Sequence, residues 1–293
     1  MHTSTRYRLL ALAALLGCAA IAYTQTQQPS KLDVVKLADN MYVIHNDFVP
    51  GNTTVLVTNE GVLLVDDKYP VDADNIVAEV KKLTSQPIKY VINTHHHGDH
   101  SGGNPTMQKL GAIAVSSEQA RKNMVAGKQP GLTNITIERE GHLYLGGEQV
   151  DLYYFGRAHT NGDAMVFFPA ARVLHMADVF PTKGLPGMDA NNGGSGVEYA
   201  QTLTRAADFA DKNNVAKIVN GHNEATTTRA ELREYISYVK EFVQTVQDGK
   251  RAGKTVDQVA AAWKTPAKYP GYEATPIPVR VKGDVELIFK ETK

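Results

Sequence analysis

The chain has 293 residues, enough to bury a sizeable core as one large domain or two fused halves. Hydrophobic residues make up 42% and charged residues 21%, an ordinary balance for a soluble globular protein. The 31 basic and 31 acidic side chains cancel, so no basic excess exists to hold a nucleic-acid backbone.

Arg6 and Arg8 precede an apolar run over residues 9–22. That run is too short and too early for a stable membrane span, and it reads as a secretory signal peptide over residues 1–22. Ala20-Ile21-Ala22 offers a cleavage site, which predicts a soluble periplasmic or secreted protein. Leu15-Leu16-Gly17-Cys18 offers a competing, lipobox-like site at which Cys18 becomes a lipidated first residue, although Leu16 fits that pattern poorly. Residues 23–31 read as a polar linker. Cys18 is the single cysteine, so the folded part has no disulfide framework, thiol nucleophile or thiolate ligand.

Strands are expected at 41–44, 53–58 and 61–65, with a turn at Asn59-Glu60-Gly61. The hairpin tip over 45–52, with Phe48, Pro50 and Gly51, is either a flap over a substrate or an ordinary exposed hairpin. Asp66 ends the third strand. Ile76, Val80 and Leu83 then mark an amphipathic helix capped by Asp72. The apolar run 89–93 reads as a buried strand and leads into Thr94-His95-His96-His97-Gly98-Asp99-His100-Ser101-Gly102-Gly103. His95 and His97 point the same way from extended backbone, while Asp99 and His100 turn toward a second point nearby. Imidazole and carboxylate suit Zn²⁺, and a loop at a strand end leaves room for an open coordination position. A solvated His-rich loop is the alternative; the spaced Asp-His pair and the following glycines count against it.

A helix at 103–110, a strand at 112–115 and a helix at 118–126 follow, so strand alternates with helix in an α/β layered fold. Further strands are expected at 135–137, 142–145, 149–155, 164–168, 172–176 and 217–220. Between the last two, residues 182–196 form a glycine-rich loop too long for a simple connection. Ser195 and Glu198 then open a helix to about residue 212. Leu232, Ile236, Val239, Val243 and Val246 mark one face of a long helix through about residue 249, packed on the body or, alternatively, covered by a second copy. Thr255 and Gln258 cap a shorter helix. The proline-rich tail from residue 266 carries an expected strand at 285–289.

His95-x-His97-x-Asp99-His100 resembles the signature of the metallo-β-lactamase superfamily. The resemblance implies a four-layer αβ/βα sandwich over residues 32–228, with extra C-terminal helices and a tail over 229–293. It further implies that His95, His97 and His159 hold one zinc, that Asp99, His100 and His222 hold a second, and that Asp178 bridges both. Asp66 would support this site from behind; from its residues alone it could equally cap the next turn. His2, His45, His96, His142 and His175 lack a matching context, and His175 reads as a strand residue satisfied by a neighbour.

The implied activity is hydrolysis of a small cyclic amide, ester, lactone or thioester by metal-held hydroxide, with Asp99 also orienting the nucleophile's proton. The similar zinc β-lactamases usually carry Cys or Ser where Asp178 stands, whereas Asp is more typical of thioesterases and lactonases of the superfamily. Lys183 resembles a lysine that grips the β-lactam carboxylate in one subclass; a solvated loop lysine is the alternative. Two rival readings remain at this stage: a persulfide-dioxygenase-like oxidoreductase using one iron, and a non-catalytic metal-binding module.

Overall fold

A computed structural model describes residues 31–46, 51–274 and 276–293. The expected signal peptide, most of the linker, Cys18 and the centre of the hairpin tip lie outside the described residues.

Two sheets face each other across an apolar layer. The first has seven strands in sequence order: β1 (Asp33–Ala38), β2 (Met41–His45), β3 (Thr53–Val57), β4 (Val62–Val65), β5 (Ile88–Ile92), β6 (Ile113–Ser117) and β7 (Ile135–Ile137). The strands β1 to β4 pair antiparallel, and β4 to β7 pair parallel. The β4-to-β5 and β5-to-β6 crossovers carry helices, as parallel neighbours require. These are α1 (Ala73–Leu83), and then α2 (Gly98–Ser101) with α3 (Asn104–Lys109). After β6 comes α4 (Glu118–Ala126). The second sheet runs β12-β11-β10-β9-β8, from β8 (Glu140–Leu145), β9 (Glu148–Tyr153), β10 (Met165–Phe168), β11 (Val173–Ala177) and β12 (Lys217–Asn220).

The two-residue period of a strand sorts the apolar side chains between layers. In β4, Val62 and Leu64 join Ile76 and Val80 of α1, while Leu63 and Val65 face the layer between the sheets. In β10, Val166 and Phe168 face that same layer, and Met165 and Phe167 pack outward. Both faces of these strands are covered, which is why β4 and β10 read as continuous apolar runs. The outer layer on the second sheet is α5 (Gly196–Lys212), α6 (Arg229–Arg251) and α8 (Pro278–Glu291), with α7 (Val256–Ala262) beside them. The resulting order is helix, sheet, sheet, helix: the αβ/βα sandwich.

The stripe Leu232, Ile236, Val239, Val243 and Val246 of α6 is buried in that outer cluster. Thr228 and Thr255 close capping boxes with Glu231 and Gln258. Asp72 stands at the N-terminus of α1 but makes no side-chain cap bond, because the chain enters through a single 3₁₀ turn, Pro70–Asp72. The expected strand at 285–289 is instead the body of α8. There Val281, Val285 and Ile288 recur at spacings of four and three and bury one helical face, with Pro278 placed in the first turn.

His175 on β11 hydrogen-bonds Thr54 Oγ1 on β3 at 2.8 Å, a polar tie between the two sheets. Burial lowers its pKa to about 4 from the ordinary 6.5. The unfolded chain therefore binds the proton that the folded chain refuses, so this contribution to stability is present above pH 6.5 and is lost as pH falls toward 4. Between pH 7 and 4, wild type should lose about 3 kcal/mol more unfolding free energy than a His175→Gln variant. Denaturant titrations of metal-free protein at the two pH values measure this, and equal losses would place the titration elsewhere.

Candidate metal centre

The parallel strand β5 delivers Asn93 and the histidine run to one edge of the sandwich. His97 is extended (φ −64°, ψ 149°) and starts the single turn of α2, which swings Asp99 and His100 away from His95 and His97. Ser101 locks the turn, its Oγ donating to the carbonyls of His96 and His97 at 3.0 and 3.1 Å. His159 follows β9, Asp178 follows β11 and His222 follows β12. All seven expected positions therefore meet at the same edge, four from the first sheet and three from the second.

Two donor groups result. In the first, Nδ1 of His97 lies 3.2 Å from His95 Nε2 and 2.8 Å from His159 Nε2. In the second, His100 Nε2 stands 3.4 Å from Asp99 Oδ2 and 3.2 Å from Asp178 Oδ1, and His222 Nε2 stands 3.1 Å from Asp178 Oδ1. Asp178 sits between the groups, its Oδ2 being 3.6 Å from His159 Nε2.

The outward ring atoms reveal what the inward ones are. His97 Nε2 donates to Asp189 Oδ2 at 2.9 Å, and His159 Nδ1 donates to the Gly187 carbonyl. His100 Nδ1 donates to Asp66 Oδ2 at 2.7 Å. A neutral imidazole with its proton on the outer nitrogen offers a lone pair on the inner one, so these rings aim lone pairs at common points. His100 Nε2 and Asp178 Oδ1 are buried without a hydrogen-bond partner among the described residues. Such a donor set, all nitrogen and carboxylate oxygen, fits a divalent cation such as Zn²⁺.

Without a cation, protons are held among these donors: burial opposes charge on His97, but its contact with Asp189 and the carboxylates of Asp178 and Asp99 raise it above an ordinary histidine. Burial opposes ionisation of Asp99, but His100 and His222 overcome it and lower its pKa to about 2. Burial likewise opposes charge on Asp178, yet His222 and His100 hold it well below the usual carboxylate range. His100 is raised well above an ordinary histidine despite its burial, by the carboxylates of Asp99, Asp178 and Asp66. His95, buried among other imidazoles, is lowered well below the ordinary value. A cation binding here displaces protons, which makes affinity fall with falling pH.

Asp66 ends β4 in the left-handed region (φ 63°) and is fully buried. Its Oδ1 accepts from Thr94 N at 2.7 Å and its Oδ2 accepts from Thr94 Oγ1 at 2.8 Å, so one carboxylate fixes both the start of the histidine loop and the ring of His100. Two glycines make room. A Cβ on Gly221 would collide with the Asp178 carboxylate, and one on Gly51 with the His100 ring.

Asp189 has no counterpart in the sequence reading. It lies in the glycine-rich loop, eleven residues past Asp178. It caps a short turn through Asn191 N and Asn192 N, and Asn192 Nδ2 donates to the same oxygen that His97 uses. His96 points to that oxygen too, at 3.7 Å, and with His97 and Asp189 makes a further cluster of possible ligands beside the first donor group. Of the loop's five glycines only Gly193 takes a positive φ (71°), so the loop is shaped by hydrogen bonds more than by glycine freedom. Lys183 lines the cavity in front of the donors, but its Nζ pairs with Glu231 at 2.8 Å. That cavity holds about 660 Å³, and its outer wall includes Tyr69, Asn223, Glu224, Glu273 and Arg280.

Removing the outer carboxylate by Asp189→Ala should lower zinc affinity about 10- to 100-fold while the metal-free fold persists. Competition with a chromophoric chelator measures this; unchanged affinity would show that the His97 contact does not orient the ring.

Residues 46–222, more than half of the chain, match the family model described as the metallo-beta-lactamase superfamily. The type 2 metallo-beta-lactamase of Elizabethkingia meningoseptica is 24% identical over 253 residues, spanning 83% of this chain and 98% of that protein. The type 2 enzyme of Bacillus cereus is 30% identical over 131 residues, 43% of this chain and 49% of that protein. Among solved structures, a metallo-beta-lactamase from Pontibacter korlensis shares the fold with a TM-score of 0.65 at 19% identity, covering 72% of this chain and 99% of its own. The sandwich, the donors gathered at its edge and the match over most of both sheets lead to one conclusion: the chain belongs to the metallo-β-lactamase superfamily and is a metal-dependent hydrolase.

Proposed function

We propose that this chain is an exported dinuclear zinc hydrolase that opens small cyclic amides, esters, lactones or thioesters. The observation that carries the reading is the position of Asp178, with one carboxylate oxygen toward His159 and the other between His100 and His222. A carboxylate so placed suits two cations, with His95, His97 and His159 holding one and Asp99, His100 and His222 the other. Zinc held there would lower the pKa of its bound water to about 7 and would polarise a carbonyl.

The protein's own groups do the rest. Asp99, ionised at neutral pH, faces the cavity beside His222 Nε2 at 3.5 Å and can take or orient a proton there. Tyr199 donates to the Asp178 carbonyl at 2.8 Å and fixes the backbone that carries the central carboxylate. Lys183 is the expected contact for a substrate carboxylate; its ion pair with Glu231 means that a substrate must compete with an existing partner. The cavity of about 660 Å³ is large enough for a small-molecule substrate. Among the described residues no helix is long and apolar enough to cross a membrane. Export rests on the apolar run over residues 9–22.

The relatives named metallo-beta-lactamases put the β-lactam amide among the candidate substrates. The carboxylate at position 178, where the similar zinc β-lactamases usually carry Cys or Ser, argues for easier leaving groups: against a serine hydroxyl it would offset more metal charge and so weaken the pull on the scissile carbonyl.

A panel of lactones, activated esters, thioesters and β-lactams with zinc-loaded protein tests the substrate. Lactones and esters should turn over faster than β-lactams, and a β-lactam faster than every ester and lactone contradicts the leaving-group argument. Metal analysis should give up to two zincs per chain, with His222→Ala losing one and Asp178→Ala lowering occupancy and activity together. One iron per chain with oxygen consumption would replace this reading by the dioxygenase-like one.

A further inference from the structure

The glycine-rich loop does two jobs within three residues. The Gly187 carbonyl accepts from His159, and the Asp189 carboxylate accepts from His97. Between them stands Met188, whose backbone N–H donates to Asp284 Oδ1 at 3.1 Å. Asp284 belongs to α8, at the C-terminal end of the chain and outside the residues that match the family model. Its side chain is buried, and Oδ2 has no hydrogen-bond partner among the described residues.

The rest of the segment grips the same loop at both ends. At its start, Glu273 N donates to the Lys183 carbonyl at 3.0 Å. At its end, Ile288 packs so close to Gly196 that a Cβ there would collide with it, and Glu291 Oε2 accepts from Val197 N at 3.1 Å. Glu291 also reaches Arg157, which in turn donates to the carbonyls of Gly193 and Gly194. A segment that served only to cover the apolar face of the second sheet would not need a buried acid aimed at one peptide N–H.

We infer that Asp284 is a positioning residue for the metal centre: by holding Met188 it sets the Gly187 carbonyl and the Asp189 carboxylate against His159 and His97, and so makes the C-terminal helix part of the site. This rests on the reading of His97 and His159 as zinc ligands. Burial pushes the Asp284 carboxyl well above the usual carboxylate range, and its Oδ1 is the acceptor that Met188 N meets. An asparagine keeps that acceptor at nearly the same volume, whereas alanine removes it and leaves Met188 N unsatisfied in a buried place.

The full-length protein and its Asp284→Asn and Asp284→Ala variants, stripped of metal, should be compared by zinc competition with a chromophoric chelator. The visible spectrum of each cobalt-loaded form reports ligand geometry independently of activity. Asp284→Ala should bind zinc about tenfold more weakly and show an altered cobalt spectrum, while Asp284→Asn stays close to wild type in both. If the alanine variant does not fold, Asp284→Leu fills the space and still removes the acceptor. Wild-type affinity and spectrum in the alanine or leucine variant, with or without a drop in the stability of the metal-free protein, would reduce Asp284 to a structural role and overturn the inference. An asparagine variant as impaired as the alanine one would overturn it too. A wild type that binds no zinc fails the metal reading itself, and this inference with it.

Discussion

Ring nitrogens brought within about three ångströms of one another need a proton or a metal cation between them, and the whole edge of this sandwich is built to hold them there. His95, His97 and His159 bring three ring nitrogens together, with separations of 3.2 and 2.8 Å from His97 Nδ1. Such a cluster is held either by protons shared between the rings, at hydrogen-bond distances, or by a cation that displaces them. The protein therefore has to supply the convergence in advance. It does so from outside: Asp189 on His97, the Gly187 carbonyl on His159 and Asp66 on His100 each fix a tautomer and a ring plane.

The fold makes those outer contacts possible because the site draws on both sheets. The first sheet supplies the histidine loop and Asp66; the second supplies His159, Asp178 and His222. Asn52 N donates to the Gly221 carbonyl at 2.7 Å, and Thr54 meets His175, so the sheets are pinned together directly behind the donors. Packing tolerance is small there. Gly51 against the His100 ring and Gly221 against the Asp178 carboxylate leave no room for a side chain. Interiors packed this densely transmit displacement, and a shift between the sheets would separate the two halves of the donor set.

The sequence shows the histidine loop because its four donors fall between His95 and His100, and their spacing alone implies two directions of approach. The sheet strands were legible for a different reason: burial on both faces leaves runs of Val, Leu and Ile that few other structures produce. Three features were not legible. β1 is largely exposed, and its sequence Asp33-Val34-Val35-Lys36-Leu37-Ala38 lacks the alternation that marks a half-buried strand. α8 was obscured by Val285, Leu287, Ile288 and Phe289, a run whose composition favours a strand. Only the wider spacing from Val281, and packing against α5 and α6, makes it a helix. Asp189 is the single acid of the 182–196 loop, but its partner His97 is 92 residues away, and no local pattern encodes such a contact. Lys183 shows the reverse case. Its place at the cavity was readable from its distance to Asp178, while its pairing with Glu231 depended on how α6 returns over the second sheet.

Crystals of zinc-loaded protein, with anomalous diffraction recorded at the zinc edge, test the central claim that these inward nitrogens form metal positions. The account predicts one anomalous peak about 2.0–2.1 Å from His95 Nε2, His97 Nδ1 and His159 Nε2, and a second beside His100 and His222, with Asp178 between them. A zinc bound elsewhere, or a histidine cluster that keeps its present spacing without metal under saturating zinc, would contradict it.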